Sequence, residues 1–159
     1  MLLNGVNHVA ILTNDAKRLH AFYADVFEAP VTKDFAAGED MRLSFIDIGP
    51  THELNVFEIP GNPEAQRQTP MFGRGRIDHI GLLAASIDAF DEIRRRLIER
   101  RATDGFVTDF GPVLSLFFTD PDGLEGEVCV PKPGAQPDEN NPPGTPAAGY
   151  ERVLDLDNS

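Results

Sequence analysis

Cysteine is nearly missing from this chain of 159 residues, where Cys129 stands alone. One thiol can close no internal disulfide and can build no thiolate metal cluster. Basic residues are also scarce: 14 Lys and Arg face 26 Asp and Glu, for a formal net charge of -12. A field of that sign repels phosphate backbones and anionic headgroups, which argues against nucleic acid and against a membrane surface as partners. No apolar run approaches the ~18 residues needed to span a bilayer. The opening Met1-Leu2-Leu3-Asn4 has neither a basic lead nor a cleavage site. A cytoplasmic protein is expected. Its length fits one domain, and 41% hydrophobic residues with 11 Phe suffice for a sizeable core.

What is present is a repeat. Residues 5–12 are rich in Val and Ile and read as a strand. Asn14 or Asp15 then caps a helix whose Leu19, Phe22, Tyr23 and Val26 follow helical spacing, ending near Ala29-Pro30. Strand-like runs follow at 41–48 and 54–59, with Gly49-Pro50 as the turn between them. The order then recurs: a strand over 77–83, a helix capped by Ser86 with Phe90, Ile93 and Leu97 on one face, a strand over 113–119, and a closing strand over 124–130. Asp120-Pro121-Asp122-Gly123 suits a type I turn. Each half is β-α-β-β or β-α-β-β-β. One domain over 1–131 is expected, with modules at 5–60 and 76–131 and a linker at 61–75. Residues 132–159 read as a Pro-rich acidic tail with no core of its own. Its Tyr150–Leu156 piece is apolar enough to dock as an edge strand or on a partner.

Chemistry-bearing residues follow the repeat. Glu58 comes 50 residues after His8, and Glu127 comes 48 residues after His79. Imidazole and carboxylate together suit a divalent transition metal. Alternation along a strand puts His8 with Ala10 and Leu12, and His79 with Gly81 and Leu83, leaving the intervening aliphatics for the helices. Glu58 shares a face with Leu54 and Val56, and Glu127 with Glu125 and Cys129. A carboxylate on a half-apolar face needs a partner, which a metal would supply. Each residue also has a plainer reading: a hydrogen-bonded strand histidine, a solvated strand glutamate. Glu53 competes with Glu58, His20 reads as a surface helix residue, and His52 as a turn residue. The Arg run at 94–101 reads as a salt-bridged helix face, and Cys129 as a small buried apolar group. Met41, Phe45 and Phe117 are candidate cavity-lining side chains.

Asn7-His8-Val9-Ala10-Ile11 followed by Phe22-Tyr23-Ala24-Asp25-Val26-Phe27 resembles the opening module of the vicinal oxygen chelate superfamily, the glyoxalase, bleomycin resistance protein and extradiol dioxygenase group. Asp78-His79-Ile80-Gly81-Leu82 resembles the start of its second module, and Asp120-Pro121-Asp122-Gly123-Leu124-Glu125-Gly126-Glu127 its closing turn and strand. The likeness covers residues 5–131. It implies an α+β fold of two βαβββ modules forming a cupped, incomplete mixed β-barrel around one divalent metal ion, which could be Zn, Ni, Co, Mn or Fe(II). It places His8, His79 and Glu127 at ligand positions and Glu58 at that of a fourth. Four ligands leave two open positions for a substrate with vicinal oxygens, and Glu127 or Glu58 could move a proton between adjacent carbons. That is isomerase or lyase chemistry. Without Glu58 the set becomes the facial triad of non-haem Fe(II) oxygenases, and an extradiol-type dioxygenase follows. A non-catalytic protein binding a drug or metabolite is the third expectation. The expected partners are a small-molecule substrate and a second copy of the chain in a homodimer.

Overall fold

The computed structural model describes residues 1–66, 69–136 and 138–154. Contacts divide the chain into two compact units. The first comprises Met1–Gln68 with Pro121–Gly123, and the second Thr69–Asp120 with Leu124–Ser159.

The first unit runs β1 (His8–Thr13), α1 (Ala16–Phe27), β2 (Val31–Ala36), β3 (Arg42–Gly49) and β4 (His52–Glu58). The sheet order is β1-β4-β3-β2, with β1 parallel to β4 and the other pairs antiparallel. Asp15 caps α1, its side chain accepting from the Arg18 N–H. The helix ends where Glu28 turns left-handed, two residues before Pro30. Leu19, Phe22, Tyr23 and Val26 of α1 are buried, as are Ile46, Leu54 and Val56 of the sheet.

The second unit repeats the order: β5 (Ile80–Leu83), α2 (Ile87–Glu99), β6 (Val107–Asp109), β7 (Val113–Thr119) and β8 (Glu125–Pro131). Its sheet order is β5-β8-β7-β6, again with one parallel pair, β5 with β8. Ser86 caps α2, and Phe90 and Leu97 are buried, as are Leu116, Phe118 and Val128 of the sheet. The fold is therefore α+β, two four-stranded mixed sheets with two helices, and neither sheet closes into a barrel. β2 and β6, which carried no strand pattern in sequence, complete the longer β-α-β-β-β form in both halves. β6 is only 3 residues long, and five of the six residues of β2 are exposed, so neither has the alternation that marks a half-buried strand.

The chain after Pro131 is built into the second unit. Asp109 N–H donates to Thr145 O at 2.8 Å, and Ala147 N–H to Val107 O at 3.0 Å. The tail thus lies against β6, the edge of its sheet. Lys132 bridges Asp109 and Glu139. Tyr150 meets Phe90 edge-on and donates its hydroxyl to Asp91, while Arg94 holds both Gly105 O and Glu151 O. Composition alone pointed to a tail without packing; these side-chain anchors supply what the Pro-rich backbone lacks. Of the apolar piece expected to dock, residues 155–156 lie outside the described residues. Among the described residues, no helix is long and apolar enough to cross a membrane.

Candidate metal centre

In the second unit the site begins at the parallel pair β5–β8. Gly81 lies in register with Glu127, and a Cβ at Gly81 would meet Glu127 Oε2 at 3.6 Å. Two residues before Gly81, His79 Nε2 stands 3.3 Å from Glu127 Oε2. The other ring nitrogen, Nδ1, is 2.8 Å from Asp78 Oδ2. Both neighbours are carboxylates, which only accept, and a neutral ring has one proton to give; the shorter contact assigns it to Nδ1, donating to Asp78. That hydrogen bond is the largest of the influences holding the Asp78 carboxyl below its usual range, with the Phe72 N–H next.

With Nδ1 protonated and Nε2 bare, two acceptors face each other at 3.3 Å. Something positive must lie between them: a second proton on the ring, or a cation. The distance fits a cation. Bonds of about 2.1 Å place neighbouring ligand atoms about 3.0 Å apart at a right angle and about 3.4 Å apart at a tetrahedral one. The carboxylate beneath the imidazole is the arrangement that commonly orients a histidine ligand.

Glu127 is held as firmly. Ser115, buried on β7, donates its hydroxyl to Oε1, which leaves Oε2 for His79. Phe117, in register with Glu127, sets its ring edge-on to the imidazole, 5.3 Å between centroids and 79° between planes. Cys129 lies two residues along on the same face. Its thiol is pushed up to about 12, chiefly by burial and then by the Glu127 charge.

The first unit repeats part of this arrangement. His8 Nδ1 is 2.8 Å from the side-chain oxygen of Asn7, as His79 is held by Asp78. In both units an Asx residue immediately before the histidine occupies Nδ1 and leaves Nε2 available, a signal legible in the paired Asn7-His8 and Asp78-His79. His8 is exposed, as are Ala10 and Leu12, whereas Thr13 is buried toward α1.

Glu58 is not with His8. β1 and β4 pair His8 with Glu53 and Thr13 with Glu58. Five positions along a strand amount to about 16 Å and end on the opposite face. Glu58 there accepts from the Ala16 N–H at 2.9 Å, capping the first turn of α1, and pairs with Arg42 at 3.5 Å. The carboxylate has partners, and they are a helix N-terminus and a guanidinium.

The residue in the place of Glu127 is Asn55. Ala10, two residues after His8, is in register with Asn55, just as Gly81, two residues after His79, is in register with Glu127. Asn55 therefore shares the face of His8. Its side-chain oxygen is buried and, among the described residues, has no hydrogen-bond partner, so it is an acceptor that a cation or a donor would satisfy. The donors of each unit taken by itself are of a kind that suits a divalent ion: an imidazole nitrogen and a carboxylate in the second, an imidazole nitrogen and an amide oxygen in the first. Within either unit, among the described residues, no group of three or more His, Cys, Asp and Glu side chains converges.

The remaining sequence candidates resolve simply. His20 is half-buried and lies 2.7 Å from Ser44 Oγ rather than on the surface. Glu53 lies in register with His8. Arg95 and Arg96 pair with Glu92 along α2 as a charged helix face. In the Asp120-Pro121-Asp122-Gly123 turn, Asp120 accepts from the Leu124 N–H. Asp122 is buried, accepting from the Thr13 hydroxyl at 2.6 Å and from Arg18.

A family model described as Glyoxalase/Bleomycin resistance protein/Dioxygenase superfamily matches residues 5–128. The uncharacterized protein YwkD of Bacillus subtilis is 27% identical over 133 residues, which cover 80% of this chain and 98% of that one. A glyoxylase/bleomycin resistance protein/dioxygenase domain from Frankia sp. EAN1pec has the same fold, with a TM-score of 0.67 at 20% identity, covering 83% of this chain and 95% of that one. The fosfomycin resistance protein FosX of Listeria monocytogenes, solved with Mn(II) and sulfate, superposes with a TM-score of 0.60 at 16% identity, covering 82% and 95% of the two chains.

Proposed function

The chain belongs to the Glyoxalase/Bleomycin resistance protein/Dioxygenase superfamily, and from that premise we propose that it is a divalent-metal enzyme with His8, His79 and Glu127 as its protein ligands, acting on a small molecule with neighbouring oxygens. Supporting this is the pair of facing acceptors, His79 Nε2 and Glu127 Oε2, 3.3 Å apart with the imidazole proton committed to Asp78. Glu58 is not among the ligands, because its carboxylate caps α1 on the other face of its sheet. A bound divalent ion would supply Lewis-acid polarisation of the substrate oxygens.

The chain's own residues carry the rest. Asp78 and Asn7 set the two rings with Nε2 outward. Ser115 fixes one oxygen of Glu127; the other, which would hold the ion together with His79, would act as a base only on loosening from it, taking a proton from one substrate carbon and returning it to the neighbouring carbon. This is the isomerase or lyase reading. Removing Glu58 from the set leaves two histidines and one carboxylate, which favours a second reading, Fe(II)-dependent oxygenation.

Metal titration tests the ligand set. Glu127→Gln and His79→Ala should each weaken Co(II) binding at least about tenfold, while Glu58→Gln should bind as the parent does. Equal losses in all three variants would restore the four-ligand set, and no binding by the parent would end the metal reading. Exchange of a proton next to a carbonyl without O₂ supports isomerase or lyase chemistry; uptake of O₂ with a catechol and Fe(II) supports the oxygenase.

A further inference from the structure

The face of the first sheet that carries His8 and Asn55 has a second feature toward its β2 edge. Lys33 stands opposite Phe45, and Phe35 opposite Leu43. A register shift between Val31 and Lys33 lets Lys33 share the Phe45 face, away from α1. The Phe35 and Phe45 rings are nearly parallel, 21° apart with centroids 6.2 Å from each other. Lys33 Nζ sits 5.3 Å from the Phe45 centroid. The neighbouring carboxylate, Asp34, is in register with Ser44 on the α1 face, where it pairs with Arg42. Lys33 therefore rests on a ring instead of a carboxylate, in a chain with 26 acidic and 14 basic residues. Phe35 remains 47% exposed on an edge strand. An exposed ring with a cation beside it suits a ligand that is flat and negatively charged.

We propose that this face binds the planar part of an anionic small molecule, with the ring against Phe35 and Phe45 and the anionic group on Lys33. Lys33 and Phe35 are two residues apart on β2, about 7 Å, which spans an aromatic ring and its carboxylate. Where this extends the metal-enzyme reading it rests on it: one strand, β4, lies between Phe45 and His8, so two interstrand spacings put the chelating oxygens of the substrate on the order of 10 Å from its planar end. The substrate class is then an elongated molecule with vicinal oxygens at one end and an anionic aromatic or similarly flat group at the other.

The test uses the full chain stripped of metal by chelation, so that no carboxylate can be held by an ion. It is titrated with 2-naphthoate and with uncharged 2-naphthamide, followed by calorimetry and by amide chemical shifts. Saturable binding of 2-naphthoate with shifts at Lys33, Phe35 and Phe45 is expected, weakened about tenfold or more in the amide and in Lys33→Gln, and retained in Lys33→Arg. Phe35→Ser should weaken both probes, with unchanged thermal unfolding showing that the exposed site tolerates it. Absence of binding, or equal binding by Lys33→Gln, overturns the proposal. So do shifts at these residues that grow with protein concentration alone, which would mean that a second copy occupies the face. Co(II) titration of the same samples separates the two ideas: naphthoate binding with no metal binding removes only the metal reading, and the converse removes only the anion platform.

Discussion

Glu58 and His20 show how local partners decide what a polar residue does. Glu58 and Asn55 are three positions apart on one strand, and alternation sends them to opposite faces. On the α1 face Glu58 meets the first turn of the helix and Arg42; replacing it with Ala should cost about 1 kcal/mol, read as a lower urea midpoint. His20 sits on the same side, against Ser44. Burial is the largest influence on it and lowers its pKa from 6.5, outweighing the opposing pull of Asp34. The unfolded chain then binds a proton at a pH where folded His20 does not. Its contribution is complete above the unfolded value of 6.5 and is lost as pH falls below it. Between about pH 7 and about pH 5, the parent should therefore lose more stability than His20→Gln, which can hold Ser44 without gaining a proton. Urea unfolding at the two pH values checks this, and parallel losses would count against it.

At the scale of elements, the tail has the largest consequence. β6 is the edge of its sheet, and an open edge is a template for another chain. Residues 145–147 bond to it, and Gly111 shows how closely the chain after Pro131 is seated. Gly111 has φ +100°, and a Cβ there would come within 2.5 Å of Glu139 O. Deleting everything after Pro131 should cost at least about 2 kcal/mol, since Tyr150 loses its seat on Phe90 and several hydrogen bonds go with it. The truncated protein should also associate as concentration rises, measured by sedimentation. Gly111→Ala should give a smaller loss in the same direction. A truncated chain that melts at the parent's temperature and stays monodisperse would show that the tail contributes nothing. The boundaries of α1 and α2 were legible in the sequence because Asp15 and Ser86 are caps with a mechanism. The tail was not, because its anchors, Arg94 for Glu151, Asp91 for Tyr150 and Asp104 for Arg152, lie far away in sequence.

For the whole molecule, the net charge of -12 sets the electrostatic background. Many of the carboxylates are paired, as Asp34, Glu92 and Asp122 are with arginines, but the excess remains and repels itself. Raising NaCl from about 10 mM to about 200 mM shortens the Debye length to under 10 Å and should raise the melting temperature by a few degrees. A fall instead would mean that the ion pairs outweigh the excess. In the same field Lys33 is a cation on a sheet face, where it would offset the repulsion of an anionic ligand.

The sequence by itself determined the duplication, the α+β class, the helix caps and the residue types that suit a metal, because these depend on periodicity and on short-range chemistry. Spacing also brought Glu127 forward, and the fold sets it beside His79. Spacing matched Glu58 to Glu127, whereas strand register puts Asn55 in the equivalent place: Asn55 follows His8 by 47 residues and Glu127 follows His79 by 48, so the two halves differ by one residue between equivalent positions. In a strand a shift of one reverses the face, and no count along the chain can detect where that residue was lost. Only the pairing of β1 with β4 decided that Asn55 faces with His8 and that Glu58 turns to α1, because register is a contact between segments far apart in sequence.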